Sequence, residues 1–246
     1  MNWILLRGLG RDQRHWLDFP KLLTKPGDSV HCLDMPGFGT EEKATSPMSI
    51  RAITDNLRSR WLQLNLLGQK NALIGISLGG MTALDWSARF SDDFHFTTVI
   101  NSSSKDLSSL IQRLSLYAYY RILRSRTADN LRGKELQILK MISNLKANDP
   151  EVLSALLRIA EGSNPNPLNL PRQLFAATQF ICPSKISTPV LVLASIKDRM
   201  VDVRCSKAIA EKLSAPIKFH PTAGHDLTLD DPEWVAERIH EFVGVG

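Results

Sequence analysis

A short, almost wholly apolar run, Ala72-Leu73-Ile74-Gly75-Ile76, passes directly into Ser77-Leu78-Gly79-Gly80 and on into Met81-Thr82-Ala83-Leu84-Asp85-Trp86. The run shows no polar alternation, so it reads as a strand buried on both faces. The residues beyond Gly80 read as a helix, and the small residues between the two leave room for a very sharp turn. A strand buried on both faces needs a layer of helices above it and another below. That requirement points to an α/β fold with a mostly parallel central sheet flanked by helices. Other apolar runs supply further strands: Trp3 to Leu6, Val30 to Leu33, Phe96 to Ile100, Val190 to Ala194 and Ile217 to Phe219. Amphipathic stretches separate them. Ile50, Ile53, Leu57, Trp61 and Leu64 recur at helical spacing between Ser49 and Leu67, and Trp234 to Phe242 repeats the pattern near the end.

The chain has 246 residues, 43% hydrophobic and 22% charged, which suits one large folded domain and excludes a disordered or coiled-coil chain. No apolar run approaches the roughly 18 residues that a membrane span requires. The opening segment, Met1 to Arg7, reads as a first strand and not as a secretory leader, which predicts a cytoplasmic protein. Cys32, Cys182 and Cys205 make neither a CxxC pair nor metal-ligand spacing, so they read as reduced, partly buried thiols. Between the strands ending at Ile100 and beginning at Val190 the pattern is helical throughout: Leu107 to Leu123, Lys134 to Leu145, Glu151 to Ile159 and Pro171 to Phe180. The expected organisation is therefore a core of residues 1–104 and 186–246, with a helical cap of residues 105–185 inserted before the late strands. From Lys105 to Lys185 there are 12 Lys/Arg and 6 Asp/Glu, against 18 and 19 in the rest of the chain. The whole excess of positive charge lies in the expected cap, a property that bears on partners and not on fold.

Gly75-Ile76-Ser77-Leu78-Gly79 gains its meaning from its setting. A nucleophile lifted above a sheet on a sharp strand-to-helix turn needs neighbours without bulk, and the helix N-terminus beyond favours developing negative charge. Ser77 is the expected nucleophile. A serine hydroxyl needs a base to take its proton. Of the histidines, His225 in Ala223-Gly224-His225-Asp226 follows the last strand in a glycine-containing loop, while His240 falls on the final helix and His15 follows the first strand. The base in turn needs a carboxylate that holds its tautomer. Asp198 follows the strand Val190 to Ala194; Asp202 is its rival, with the alternative role of capping the helix that begins near Val203. The oxyanion of a tetrahedral intermediate needs backbone donors, for which the N–H groups of Leu78 and Leu9 are the candidates.

With these residues in place, the chain resembles the α/β-hydrolase superfamily over nearly its whole length. The elbow, the Asp34-Met35-Pro36-Gly37-Phe38-Gly39 turn, Asp198 and Gly224-His225 carry the resemblance. Among small members, Gly75 to Met81 is similar to the carboxylesterase that demethylates pimeloyl-carrier-protein esters in biotin synthesis, and also to a menaquinone-pathway lyase and to broad esterases. The resemblance implies a sheet of about eight strands, a helical cap, and no metal or organic cofactor. It implies a serine carboxylesterase, with a lyase or C–C bond hydrolase on the same triad as the alternative and a non-catalytic binding protein of the same fold as the remote one. Many relatives carry His-Gly where this chain has Arg7-Gly8, so Arg7 is expected to brace the loop, to pair with a carboxylate or to anchor an acidic substrate group. In the cap, Arg121 and Arg124 stand three apart on one helical stretch, and the basic patch around them suits an anionic acyl group or an acidic acyl-carrier protein. The alternative is a solvated basic surface. Tyr117-Tyr119-Tyr120 is expected to pack within the cap, and no nucleic-acid motif is present.

Overall fold

The computed structural model describes residues 1–244. Six strands form one sheet: β1 (Asn2–Leu6), β2 (Ser29–Cys32), β3 (Asn71–Ile76), β4 (Phe96–Ile100), β5 (Val190–Ser195) and β6 (Ile217–His220). Their order is β2-β1-β3-β4-β5-β6, and every neighbouring pair is parallel. The six apolar runs in the sequence are these six strands. The resemblance had implied about eight; the two further strands have no counterpart among the described residues. After β2 the chain enters the Gly- and Pro-containing turn at Asp34 to Gly39 and a 3-10 helix, Gly39–Glu41, which do not extend the sheet.

Eleven α-helices accompany the sheet among the described residues. They are α1 (Phe19–Leu23), α2 (Ile50–Leu62), α3 (Leu78–Arg89), α4 (Leu110–Arg113), α5 (Leu116–Arg126), α6 (Leu131–Ile142), α7 (Pro150–Glu161), α8 (Asn169–Gln179), α9 (Val203–Leu213), α10 (Leu227–Asp230) and α11 (Pro232–Gly244). Successive strand residues point to opposite faces, and each face has its own core. On one face Ile4, Leu6, Leu73, Val99 and Val192 pack against Ile53, Leu57 and Trp61 of α2, Leu84 and Trp86 of α3 and Ile209 of α9. On the other, Trp3, Leu5, Ile74, Ile100 and Leu193 pack against Phe19 and Leu23 of α1 and Val235 and Ile239 of α11. The sheet is thus covered on both sides, as its apolar strands require. None of the described helices is long and apolar enough to cross a membrane.

The interval between β4 and β5 holds α4 to α8 and no strand. The stretch expected as one helix from Leu107 is two, because Leu114 is extended and Ser115 caps α5 by accepting the Ala118 N–H at 3.1 Å. Tyr117 packs as expected, its hydroxyl donating to Lys140 O at 2.9 Å. Tyr119 and Tyr120 do not: they are 63% and 49% exposed, because α5 turns only its Ala118 side inward. Helix α8 reaches the edge of the sheet where the strands end. Asn169 Nδ2 donates to Gly37 O at 3.2 Å, and Gln173 Oε1 accepts the Gly10 N–H at 3.1 Å.

Candidate active site

The chain runs from β1 outward to β2 and then returns to β3 on the other side of β1, so the strand order reverses between β1 and β3. In open α/β sheets the crevice for a ligand forms at such a reversal, beyond the carboxyl ends of the strands. Here those ends carry Arg7-Gly8-Leu9 and Ser77.

Ser77 has φ 57° and ψ −115°, a left-handed conformation that side-chain-bearing residues rarely adopt. The turn is held from three sides. Ser77 N–H donates to Ile100 O at 2.8 Å, its carbonyl accepts the Ser102 hydroxyl at 2.9 Å, and the Met81 N–H reaches the same carbonyl at 3.2 Å. Gly75 and Gly79 are required by close approach: a Cβ on Gly75 would overlap the backbone of Gly79, and one on Gly79 would overlap the carbonyls of Leu6 and Arg7. Helix α3 therefore starts against the end of β1.

The loop after β1 lies beside the elbow. A Cβ built on Gly8 would stand 3.2 Å from Ser77 Cβ and 3.8 Å from its Oγ. Residues 8 to 11 form a tight turn closed by the Arg11 N–H on Gly8 O at 3.2 Å, with Gly10 at φ 66° in the position that favours glycine. Neither the Leu9 nor the Leu78 amide donates to an acceptor among the described residues. The Leu78 amide is one of the free donors at the N-terminus of α3.

His225 and Asp198 are brought together. His225 Nδ1 lies 2.7 Å from Asp198 Oδ2, with side-chain exposures of 6% and 1%. Asp198 Oδ1 accepts the N–H groups of Met200 (2.8 Å) and Val201 (3.0 Å), which fixes the carboxylate. Asp202 caps α9 instead, accepting the Arg204 N–H at 2.9 Å. Asn101, after β4, ties the two loops: its Nδ2 donates to His225 O at 2.8 Å and to Ser195 Oγ at 3.1 Å, and its Oδ1 accepts the Ser195 N–H. His225 Nε2 is buried without a hydrogen-bond partner. Burial pushes the imidazole pKa down, but the charge and hydrogen bond of Asp198, with the charge of Asp226 behind them, outweigh it and raise the pKa above its ordinary value.

Arg7 is buried, with its guanidinium turned to Asp226 and Thr228 and lying over the Trp16 ring. Arg121 is engaged within the helical insertion, donating to Tyr117 Oη at 3.0 Å and to Gln137 Oε1 at 2.8 Å, while Arg124 is exposed on the same helix. Neither contacts Ser77 or His225 through a hydrogen bond. Beside the first loop, Arg11 Nη1 lies 2.9 Å from His15 Nε2 and 3.7 Å from Glu135 Oε2 of α6. Burial, then the nearby Arg11 charge, push His15 down to about 4, so it is neutral at neutral pH and accepts from Arg11. A carboxylate partner for Arg7 was among the expectations, and it is Asp226; what the sequence did not show is which carboxylate, nor the parts played by Asn101 and Ser102. The last two stand in the polar run Asn101-Ser102-Ser103-Ser104 at the end of a strand, a visible signal; Arg7 and Asp226 are 219 residues apart and leave none.

A model of the alpha/beta hydrolase family matches residues 3–238 of the chain. No curated protein matches it by sequence. Solved structures resemble it over nearly its full length. The enol-lactonase from Burkholderia xenovorans LB400 superposes with a TM-score of 0.78 at 17% identity, covering 99% of this chain and 91% of that one. The bromoperoxidase from Bacillus anthracis gives 0.78 at 18% identity, with 99% and 91% covered. A thermophilic esterase from Thermogutta terrifontis gives 0.73 at 20% identity, with 99% and 89% covered. At these identities the likeness is one of fold.

Proposed function

The chain belongs to the alpha/beta hydrolase family, and from that premise we propose that it is a serine hydrolase cleaving small to medium carboxylic esters through an acyl-enzyme on Ser77. The observation that carries this reading is the buried His225–Asp198 pair at 2.7 Å, on loops tied to the strand ends beside a serine held at positive φ. Ser77 Oγ attacks the ester carbonyl carbon as its proton passes to His225 Nε2, the one imidazole nitrogen without a partner. The Nδ1–H donates to Asp198, which fixes the tautomer and stabilises the imidazolium. The carbonyl oxygen becomes an oxyanion held by the amides of Leu78 and Leu9. On collapse the C–O bond to the alcohol breaks, and Nε2 returns its proton to the leaving oxygen. Water then attacks the acyl-enzyme with His225 again as base, and the acid and free Ser77 are released. The helices between β4 and β5, residues 105–185, serve as the cap over this crevice, with Gln173 and Leu170 of α8 closing on Gly10.

A panel of p-nitrophenyl esters of graded acyl length, run on the native chain and on Ser77→Ala, tests the reading. The variant is expected to lose at least about a thousandfold in kcat. A fluorophosphonate probe should label the native chain at Ser77 and leave the variant unlabelled. Equal turnover by the two proteins, or labelling elsewhere, overturns the assignment.

A further inference from the structure

One buried ion pair joins the end of β1 to the loop that carries His225. The Arg7 guanidinium forks onto Asp226: Nη2 donates to Oδ2, and Nη1 donates to Oδ1 at 3.3 Å. Thr228 closes a triangle, its Oγ1 accepting from Arg7 Nη1 at 3.2 Å and donating to Asp226 Oδ1 at 3.0 Å. The guanidinium carbon stands 4.6 Å from the centre of the Trp16 ring. Both charged residues are 4% exposed. Such a pair is a poor device for stability, since desolvating two charges roughly cancels their attraction. Its location suggests a different use. Arg7 directly precedes Gly8-Leu9, and Asp226 directly follows His225.

We propose that the Arg7–Asp226 pair is a positioning element for acyl transfer, fixing the Leu9 amide and the His225 imidazole in one frame while keeping the base beside a charge-balanced neighbour. This rests on the catalytic reading above. The charged groups around His225 are Asp198 from the loop after β5, Asp226 from its own loop and Arg7 from the end of β1. Behind the pair stand Arg11, Glu135, His15 and Asp12, with Arg11 set against Glu135 of α6 and Asp12 against Arg14. Asp226 favours the imidazolium and Arg7 opposes it, so the pair together leaves the base to Asp198. Removing Asp226 alone exposes His225 to an uncompensated guanidinium, which cannot lose its proton.

Three variants separate this role from plain bracing. In Arg7→Met, kcat should fall about tenfold or more with KM within about twofold, because a displaced oxyanion donor costs only the transition state. In Asp226→Asn the acid limb of kcat/KM should move to lower pH by roughly half a unit or more, as a lone nearby cation disfavours the imidazolium. In the double variant Arg7→Met/Asp226→Asn the limb should return toward the native position while kcat stays low. Thr228→Val loosens the triangle without stranding a charge and should lower kcat by about threefold, which keeps the test open if Asp226→Asn does not fold. An unmoved limb in folded Asp226→Asn, or a loss confined to KM in Arg7→Met or Thr228→Val, overturns the proposal. Fluorophosphonate labelling of the native chain is read alongside. Labelled native protein with variants of native kinetics removes the clasp alone, whereas an unlabelled Ser77 removes the catalytic reading and the clasp with it.

Discussion

At the scale of single residues, the decisive contact is His225 Nδ1 on Asp198 Oδ2. Burial works against the imidazolium, and the Asp198 charge and hydrogen bond more than offset it, so the His225 pKa lies above the ordinary imidazole value of about 6.5. In the proposed mechanism His225 is the base, and a base acts in its neutral form. Activity should therefore be full at alkaline pH and be lost as pH falls through a midpoint above about 6.5, measured as kcat/KM against pH. Asp198→Asn removes the supporting charge and the tautomer control together. It should lower kcat by roughly a thousandfold to ten-thousandfold and move the acid limb to lower pH; a limb that stays in place would show that Asp198 does not set the imidazole. The sharp turn at Ser77 and the meeting of Asp198 with His225 were legible in the sequence because each residue sits where a strand gives way to a turn-forming segment, a local signal. Arg7–Asp226 was not, because nothing local marks two charges that meet only after folding. Arg7 showed its oddity only through the resemblance, which implies histidine there in many members, and the identity of its partner not at all.

At the scale of elements, one carboxylate ties the loop bearing His225 to the helices between β4 and β5. Asp230 of α10 accepts the N–H groups of Gly224 at 2.6 Å and Asn144 at 2.9 Å, and the hydroxyl of Ser143 donates to it as well. It thereby binds the end of α6 to the Gly224-His225 loop. Asp230→Ala leaves these buried donors without an acceptor, which should cost roughly 3 kcal/mol or more in urea unfolding. Because Asn101 still holds the His225 carbonyl, the variant should fold and retain the Ser77 label; a loss under about 1 kcal/mol would mean that water replaces the carboxylate. The six strands were readable because each is a compact apolar run between turn formers. The break before α5 was not, since Ser115 resembles an interior helix residue until its hydroxyl is seen capping Ala118. The two outward tyrosines of α5 were misplaced for the same kind of reason: a helix of mixed composition does not announce which stripe its neighbour will cover.

At the scale of the whole molecule, fold class followed from strands that need cover on both faces, whereas the strand count taken from the resemblance was higher than the six strands of the described residues. Charge is the other property of this scale. The segment from Lys105 to Lys185 carries 12 Lys/Arg against 6 Asp/Glu, while the remainder is nearly balanced. Arg124, Arg126, Arg132 and Lys134 are exposed and make no ion pair among the described residues, so their field reaches solvent. Such a field raises the local concentration of anions and weakens as salt shortens its reach to about 10 Å at 0.1 M. If these helices cover the crevice, an ester bearing a carboxylate should lose roughly threefold to tenfold in kcat/KM between about 0.02 M and 0.3 M salt, while a neutral ester of equal length changes little. Charge reversal, Arg124→Glu with Arg126→Glu and Arg132→Glu, lies on the exposed surface, brings the segment to 9 Lys/Arg against 9 Asp/Glu, and should flatten the slope for the charged ester without altering the neutral one. Equal slopes for the two esters in the native chain would mean that the basic face looks away from the path substrate takes, and would separate the positive charge of this segment from the choice of acyl group.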